Sequence, residues 1–300
     1  MTITLSLLLG IIADRLFGEL PRWHPLVGFG HCAQWLEQRL NLGNKRHLRG
    51  ILGWCLLVLP PTLIAAGLSK IFPGWVVAGM ALYLALGARA LQEHGMAVAV
   101  PLAQGDLATA RHRVSYLVSR ETEDMDEEAI ARATVESVLE NGNDAIFGAI
   151  FWCVVAGAPG VILFRLANTL DAMWGYRNER FNHFGWAAAR IDDVLNFIPA
   201  RLTALSYAIL GQTRVALRSW HHQAPLWSSP NAGPVMAAGA GSLGVRLGGA
   251  ATYEGEVEQR PTLGAGAAAS AEDIPRASIL ILRSMLLWVV VISVVESLSL

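Results

Sequence analysis

The stretch AIFGAIFWCVVAGAPGVILF, residues 145–164, carries no charge, and Gly157-Ala-Pro-Gly160 cuts it in two. The first piece, residues 145–156, extends only about 18 Å as a helix, against a hydrocarbon core of about 30 Å. A short apolar piece follows from Val161. Runs this short are typically re-entrant or buried, so the sequence predicts a helical hairpin that enters and returns on one side. A single kinked spanning helix is the alternative, since Pro and Gly are tolerated in membrane helices.

Working outward, two longer charge-free runs precede it, residues 50–69 and 71–88, each long enough to cross a bilayer. Lys70 and Pro73-Gly74 fit a tight connection between them, and Pro60-Pro61 a kink in the first. Residues 1–13 are apolar, without a basic start or a small-residue cleavage site, and read as a retained membrane segment. Residues 202–213 form a shorter apolar stretch, and residues 277–300, apolar apart from Arg283 and Glu296, a final membrane helix. The expectation is an all-α, polytopic integral membrane protein with four or five membrane segments and a re-entrant hairpin, built as a single domain over residues 1–300.

Composition agrees. The 300 residues are 53% hydrophobic and 16% charged, against about 25% charged in soluble domains, and mean hydropathy is +0.41. Disorder is excluded, and a net charge of −1 gives no support to nucleic-acid binding. Cys32, Cys55 and Cys153 have no metal or redox spacing and read as buried apolar residues. Residues 14–49 hold Arg15, Arg22, Arg39, Lys45, Arg46 and Arg49, which places that loop in the cytoplasm by the positive-inside rule. The 50–69 and 71–88 pair and the hairpin keep residues 89–201 on the same side. The acidic run 121–128 reads as a solvated loop and helix start.

Polar chemistry concentrates on both sides of the hairpin, in polar regions 89–144 and 165–201. Glu136, Glu140 and Asp144 recur every four residues on one helix face. Like carboxylates so close repel, unless they hold Mg²⁺, which takes oxygen ligands and bridges to phosphates; a solvated acidic face is the alternative. Asn168 and Asp171 share a face, and Arg177 and Arg180 suit an anionic ligand. Asp192 and Asp193 with Asn196 form a second candidate metal or acid–base site, or pair with Arg190 and Arg201. Ionisable groups at membrane depth are a functional-site hypothesis by default. Outside this core, Asp14 and His24 are candidates to join the site. Region 214–276 reads as a Gly-rich loop in which Ser229-Pro-Asn231-Ala-Gly233 offers a phosphate nest, or its glycines serve close helix packing. No P-loop or nucleophile-elbow motif is present.

These segments together resemble the adenosylcobinamide-phosphate synthase family of cobalamin biosynthesis (CobD/CbiB type). The resemblance is carried by Asp14-Arg15 through Gly18 with His24-Pro25, Glu136-Ser137 with Glu140-Asn141 and Asp144, Asn168-Thr-Leu-Asp171 with Gly175-Tyr-Arg-Asn178, and Ala189-Arg190-Ile-Asp192-Asp193-Val-Leu-Asn196 with Pro199-Ala-Arg201. The tail adds Ser229-Pro-Asn-Ala-Gly233, Gly244-Val-Arg-Leu-Gly-Gly249 and Tyr253-x-Gly255. In the family Asn-Ala-Gly usually continues with Trp-Pro; here Gly233 runs directly into Pro234.

The resemblance implies a multi-pass enzyme of the bacterial inner membrane, with its site on the cytoplasmic side. It joins (R)-1-amino-2-propanol, or its O-phosphate, to a corrin propionate of adenosylcobyric acid. Phosphorylation of the carboxylate by ATP before attack by the amine is the expected route. On that reading Glu140, Asp144 and Asp171 hold Mg²⁺ with Glu136 nearby. Arg177, Arg180, Arg201 and Asn231 bind phosphates or substrate, and Tyr176 stacks on it. Asp192 or Asp193 is the base, Asn168 and Asn196 orient substrate, and His24 joins them. The expected partners are the small substrates, the lipid bilayer and other corrin-pathway enzymes. Two other readings stand beside this one: a membrane sensor or assembly protein without turnover, and a Mg²⁺-dependent membrane transferase.

Overall fold

The computed structural model describes residues 2–19, 24–253 and 255–299. Arg22 of the basic loop and the middle residue of Tyr253-x-Gly255 lie outside them. Four segments are long and apolar enough to cross a membrane: Arg46–Ile71, Gly74–Ala103, Glu127–Trp174 and Asp273–Leu298. The chain forms two compact units, each described by itself. The first comprises Met1–Gly87, Asp144–Asn196 and Val289–Leu300; the second comprises Ala88–Asn143 and Phe197–Trp288.

In the first unit, α1 (Thr2–Phe17) packs on α4 (Gly74–Ala85). The contact works through glycine: a Cβ on Gly10 would lie 2.8 Å from Leu82, and one on Gly79 would lie 2.7 Å from Leu9. Small residues allow helices to approach closely where no hydrophobic effect drives them together. The first turn of α1 is capped from the far end of the chain. Glu296, on α12 (Asp273–Leu298), accepts from the amides of Ile3 and Thr4 (both 2.9 Å) and from the Thr4 hydroxyl (2.6 Å), satisfying donors that a helix start leaves orphaned. Both α3 (Arg46–Ile71) and α4 flank α8 (Gly148–Trp174). Pro60 and Pro61 sit inside α3, which continues through them.

Helix α8 folds back on itself. Gly157 has φ +60° and ψ −146°, which breaks the helix. In a straight helix Gly148 and Phe164 would be about 24 Å apart, yet a Cβ on Gly148 would strike the Phe164 ring. One on Gly160 would strike the Trp152 carbonyl. The hairpin expected from Gly157-Ala-Pro-Gly160 is therefore present, closed by glycines on its inner face.

The second unit holds α5 (Ala88–Ala103), α6 (Leu107–Val114) and α7 (Glu127–Gly142). Asp126 caps α7 by accepting from the Ala129 amide (2.8 Å), with Glu127 and Glu128 in the first turn, so the acidic run is a loop and helix start as expected. Region 214–276 is not a loop. It contains α10 (Thr213–Gln223), α11 (Ala232–Leu243) and a sheet of β1 (Val245–Tyr253), β2 (Glu256–Gly264) and β3 (Ala267–Ala268) in the order β2-β1-β3. Its small residues serve packing: all of α11 is buried, and a Cβ on Gly239 would meet Leu139 at 2.7 Å. Gly248, at φ +80°, sits where the β1–β2 register shifts, a bulge that turns its amide out of the ladder. The cysteines correct a simpler expectation: Cys153 is buried, Cys55 half-buried and Cys32 exposed.

Candidate functional site

In the first unit the hairpin brings separate sequence clusters together. Asp144 lies in the π-helical turn Asn143–Phe147 that leads into the hairpin, a distortion often found at functional sites. Asn168 and Asp171 end the returning limb of α8. The opening turns of α9 (Trp186–Leu210) carry Asp192, Asp193 and Asn196.

Asp192 is the centre of the group. It is 7% exposed. Asn168 Nδ2 donates to its Oδ1 (3.3 Å) and Asn196 Nδ2 to its Oδ2 (3.1 Å). Burial, and then the charges of Asp144 and Asp171, push its carboxyl well above the ordinary carboxylate range, against the two amides. The Asp193 carboxyl is also raised by burial, opposed by Arg190, at 3.7 Å, and by Arg177. Asp171 stands within electrostatic reach of both Asp144 and Asp193. Its oxygens also explain the following glycine: a Cβ on Gly175 would collide with the Asp171 carboxylate, and the Gly175 amide donates to the Asp171 carbonyl (2.6 Å).

A cation beside these acids escaped the sequence reading. Arg165, on the returning limb, lies in electrostatic reach of Asp144 and Glu19, and its Nε is out of solvent without a hydrogen-bond partner among the described residues. His24 faces the same charges. Burial lowers its imidazole, Glu19 opposes this and Arg165 adds to it; its Nδ1 accepts from the Leu26 amide (3.2 Å), capping α2 (Pro25–Leu40). A single Arg closing an apolar run reads as a span boundary, which is why Arg165 carried no functional signal.

Other candidates have different uses. Asn168 and Asn196, expected to orient substrate, hold Asp192. Arg180 does not face an anion site: its Nη2 and Nε donate to Glu37 (2.7 and 3.1 Å), while Asn41 donates to the Arg180 carbonyl (2.8 Å). Glu37 is buried, which raises its carboxyl, but the bonds from Arg180 and Asn41 outweigh this and hold it below its usual range. Arg180 thus pins the α8–α9 loop to α2. In that loop Tyr176 is exposed, its ring 6.4 Å from Phe181, and Arg177 is exposed as well.

The remaining candidates belong to the second unit. Glu136 is buried between two guanidiniums. Arg120 donates to its Oε2, Arg260 reaches Oε2 and Oε1 (2.9 and 3.2 Å), and the Gly248 amide donates to Oε1 (2.7 Å). With both oxygens so engaged, Glu136 is the shared ion-pair partner of two guanidiniums. Glu140 lines a cavity beside it. Arg201 is equally committed, donating to Asn231 Oδ1 (2.7 Å) and to the Pro230 carbonyl (2.9 Å) while lying 3.6 Å over the Phe197 ring. These two candidate phosphate binders therefore hold each other and the Ser229–Asn231 turn.

The family model described as CobD/Cbib protein matches residues 7–281. The chain belongs to this family. Relatives named cobalamin biosynthesis protein CobD include one from Stutzerimonas stutzeri, 57% identical with 97% of each chain covered. Another, from Chromobacterium violaceum, is 53% identical over 96% of this chain and 95% of its own. A third, from Halalkalibacterium halodurans, is 36% identical over 94% and 93%. No solved structure matches. Family membership ties the chain to cobalamin biosynthesis.

Proposed function

We propose that the chain is an amide-forming enzyme that joins (R)-1-amino-2-propanol or its O-phosphate to the propionate carboxylate of adenosylcobyric acid with consumption of ATP. The observation that carries this reading is the convergence of Asp144, Asp171 and Asp192 on one another across a folded-back hairpin. A carboxylate is inert to an amine until it is activated. Transfer of the terminal phosphoryl group of ATP to the corrin carboxylate releases ADP. The amine lone pair then forms the C–N bond as the C–O bond to phosphate breaks, and the ammonium proton must be removed.

Asp192 is suited to take that proton, because burial and its acidic neighbours bring its basicity closer to neutrality. Asn168 and Asn196 fix its two oxygens and so position the base. Arg165 and Arg177 flank the acids and supply cations for phosphate oxygens.

Among the described residues, no group of three or more His, Cys, Asp or Glu is arranged to hold a metal alone. Mg²⁺ characteristically uses one or two carboxylates and completes its shell with water and substrate phosphates. A cluster of mutually repelling acids fits that mode, with Asp144 and Asp171 as its holders. When bound, the ion would neutralise phosphate charge.

The test is turnover by purified protein in detergent with adenosylcobyric acid, the amine, ATP and Mg²⁺. Amide product with stoichiometric ADP is expected. Amide formation without ATP consumption removes the acyl-phosphate route, and no amide under any condition removes the assignment.

A further inference from the structure

Helix α3 gives the depth of every level in the first unit. It carries no charge between Arg49 and Lys70, about 30 Å of helix, which is the thickness of a hydrocarbon core. Leu52, Leu56, Leu63 and Leu68 are exposed along that length, as on a helix that faces acyl chains. Arg49 and Lys70 therefore mark the two membrane surfaces.

At the Lys70 surface, Lys70, Thr2, Gly74 and Gly157 line one cavity, so α1, α4 and the hairpin turn all begin at that level. Asp14 lies about 18 Å along α1 from Thr2, and Asp144 and Asp171 lie about 20 Å along the two hairpin limbs from Gly157. All stop about 10 Å short of the Arg49 surface. The opposite surface gives the same depth. A Cβ on Gly50 would strike the Phe184 carbonyl, so α9 begins level with Arg49, and Asp192 lies about 9 Å along it from Trp186. From there α9 runs on towards the hairpin turn, where Trp152 Nε1 donates to the Leu195 carbonyl (3.0 Å).

The backbone is interrupted at this same level. Helix α1 ends at Gly18, with φ +63°, and α4 gives way to extended backbone at Leu86. The Gly87 amide then donates to the Ala145 carbonyl (3.2 Å), inside the π-helical turn. Non-helical backbone at membrane depth is tolerated where it is buried in protein or lines a water-filled cavity, and carboxylates there face such water or partners. Lipid reaches the same level from outside, because Val194, next to Asp193, is 74% exposed. Towards Lys70 the packing is closed, with Gly10 against Leu82 and Gly148 against Phe164.

We infer that Asp144, Asp171 and Asp193 line the floor of a water-filled recess sunk about 10 Å beneath the headgroup plane, ringed by acyl chains and open only at the Arg49 surface. Whatever reaction the acids perform, a ligand comes to them through the headgroup layer on that side and presents a group that reaches this depth. The short first limb of the hairpin follows: it reaches the Lys70 surface because it starts inside the membrane.

Spin labelling of the full chain in phospholipid vesicles of one orientation tests this, with Cys32, Cys55 and Cys153 replaced by alanine. Labels on Leu56→Cys and Val194→Cys should collide more often with oxygen than with a water-soluble nickel chelate, and report a depth of about 10 Å. A label on Asp193→Cys, one residue from Val194, should show the reverse preference. A membrane-impermeant thiol reagent should reach Asp193→Cys from the side that reaches Lys45→Cys, and not from the side that reaches Lys70→Cys. Should Asp193→Cys fail to fold, the wild-type chain decides: a water-soluble carbodiimide with a soluble amine should modify Asp144 or Asp193 from the Lys45 side, read by peptide mass. Preference of the Leu56→Cys and Val194→Cys labels for the nickel chelate would put the acids at the membrane surface and overturn the inference. So would acids that no water-soluble probe reaches, or that one reaches from the Lys70 side. None of these readouts depends on turnover, so they stand or fall apart from the amide-forming reading.

Discussion

At the scale of single residues, Asp192 and Glu37 show opposite consequences of burial. Asp192 is buried among acids, so its folded-state affinity for a proton is raised. The protonated carboxyl favours the fold below the ordinary value of 3.8, and this contribution is lost as pH rises through the raised value. Asp192→Asn should therefore melt higher than wild type at neutral pH, with the gap closing in acid, while turnover falls by at least about 10²-fold. Thermal scans across pH and a turnover assay check both halves. Wild-type turnover with lower stability in Asp192→Asn would remove the base. Glu37 is buried against a guanidinium, and its carboxyl is depressed. The Arg180 pair stabilises above the ordinary value of 4.5 and ceases to as pH falls through the depressed one. Glu37→Gln should cost about 1 kcal/mol at neutral pH, a small amount because Arg180 is 58% exposed, and nothing in strong acid. Unfolding midpoints at the two pH values check this.

Sequence spacing identified the acids of the first unit because helical periodicity reports which face a residue occupies. It does not report the partner. Glu136 fits the four-residue series with Glu140 and Asp144, yet its guanidinium partners lie 16 and 124 residues away. Spacing within one helix carries no information about such long-range pairs, so Glu136 reads as a metal neighbour until the fold is seen.

At the scale of elements, the α8 hairpin depends on glycine for two different reasons. Gly157 needs its positive φ; no atom of the described residues crowds its Cβ position. Gly157→Ala should therefore cost about 1–2 kcal/mol through backbone strain alone. Gly148 faces the Phe164 ring, and Gly148→Ala should cost about 1–3 kcal/mol through overpacking while displacing Asp144 from Asp171. The expected readouts are a lower unfolding midpoint for both and a disproportionate loss of turnover in Gly148→Ala; equal turnover in the two variants would contradict the coupling. The hairpin was legible because Gly and Pro cut an apolar run into pieces too short to span. The sheet was not legible, because Gly and Ala dominate α11 and β1 and give no alternating pattern. The bulge at Gly248 depends on the Glu136 carboxylate from another element.

At the scale of the whole molecule, hydropathy was the most readable property. Four segments are long and apolar enough to span a bilayer, and the protein should remain with membranes after alkaline carbonate washing and require detergent for release. Appearance in the soluble wash would contradict the membrane assignment. The division into two units could not be read along the chain, because α9 and α12 each contribute residues to both.

The Glu296 clasp on α1 has a consequence for biogenesis. The acceptor for the Ile3 and Thr4 amides lies 293 residues downstream of Ile3, so the first turn of α1 stays uncapped during synthesis until α12 has been translated and has packed beside it. Glu296→Gly would leave that turn frayed throughout the lifetime of the finished protein, and faster hydrogen exchange at the Ile3 and Thr4 amides would reveal it.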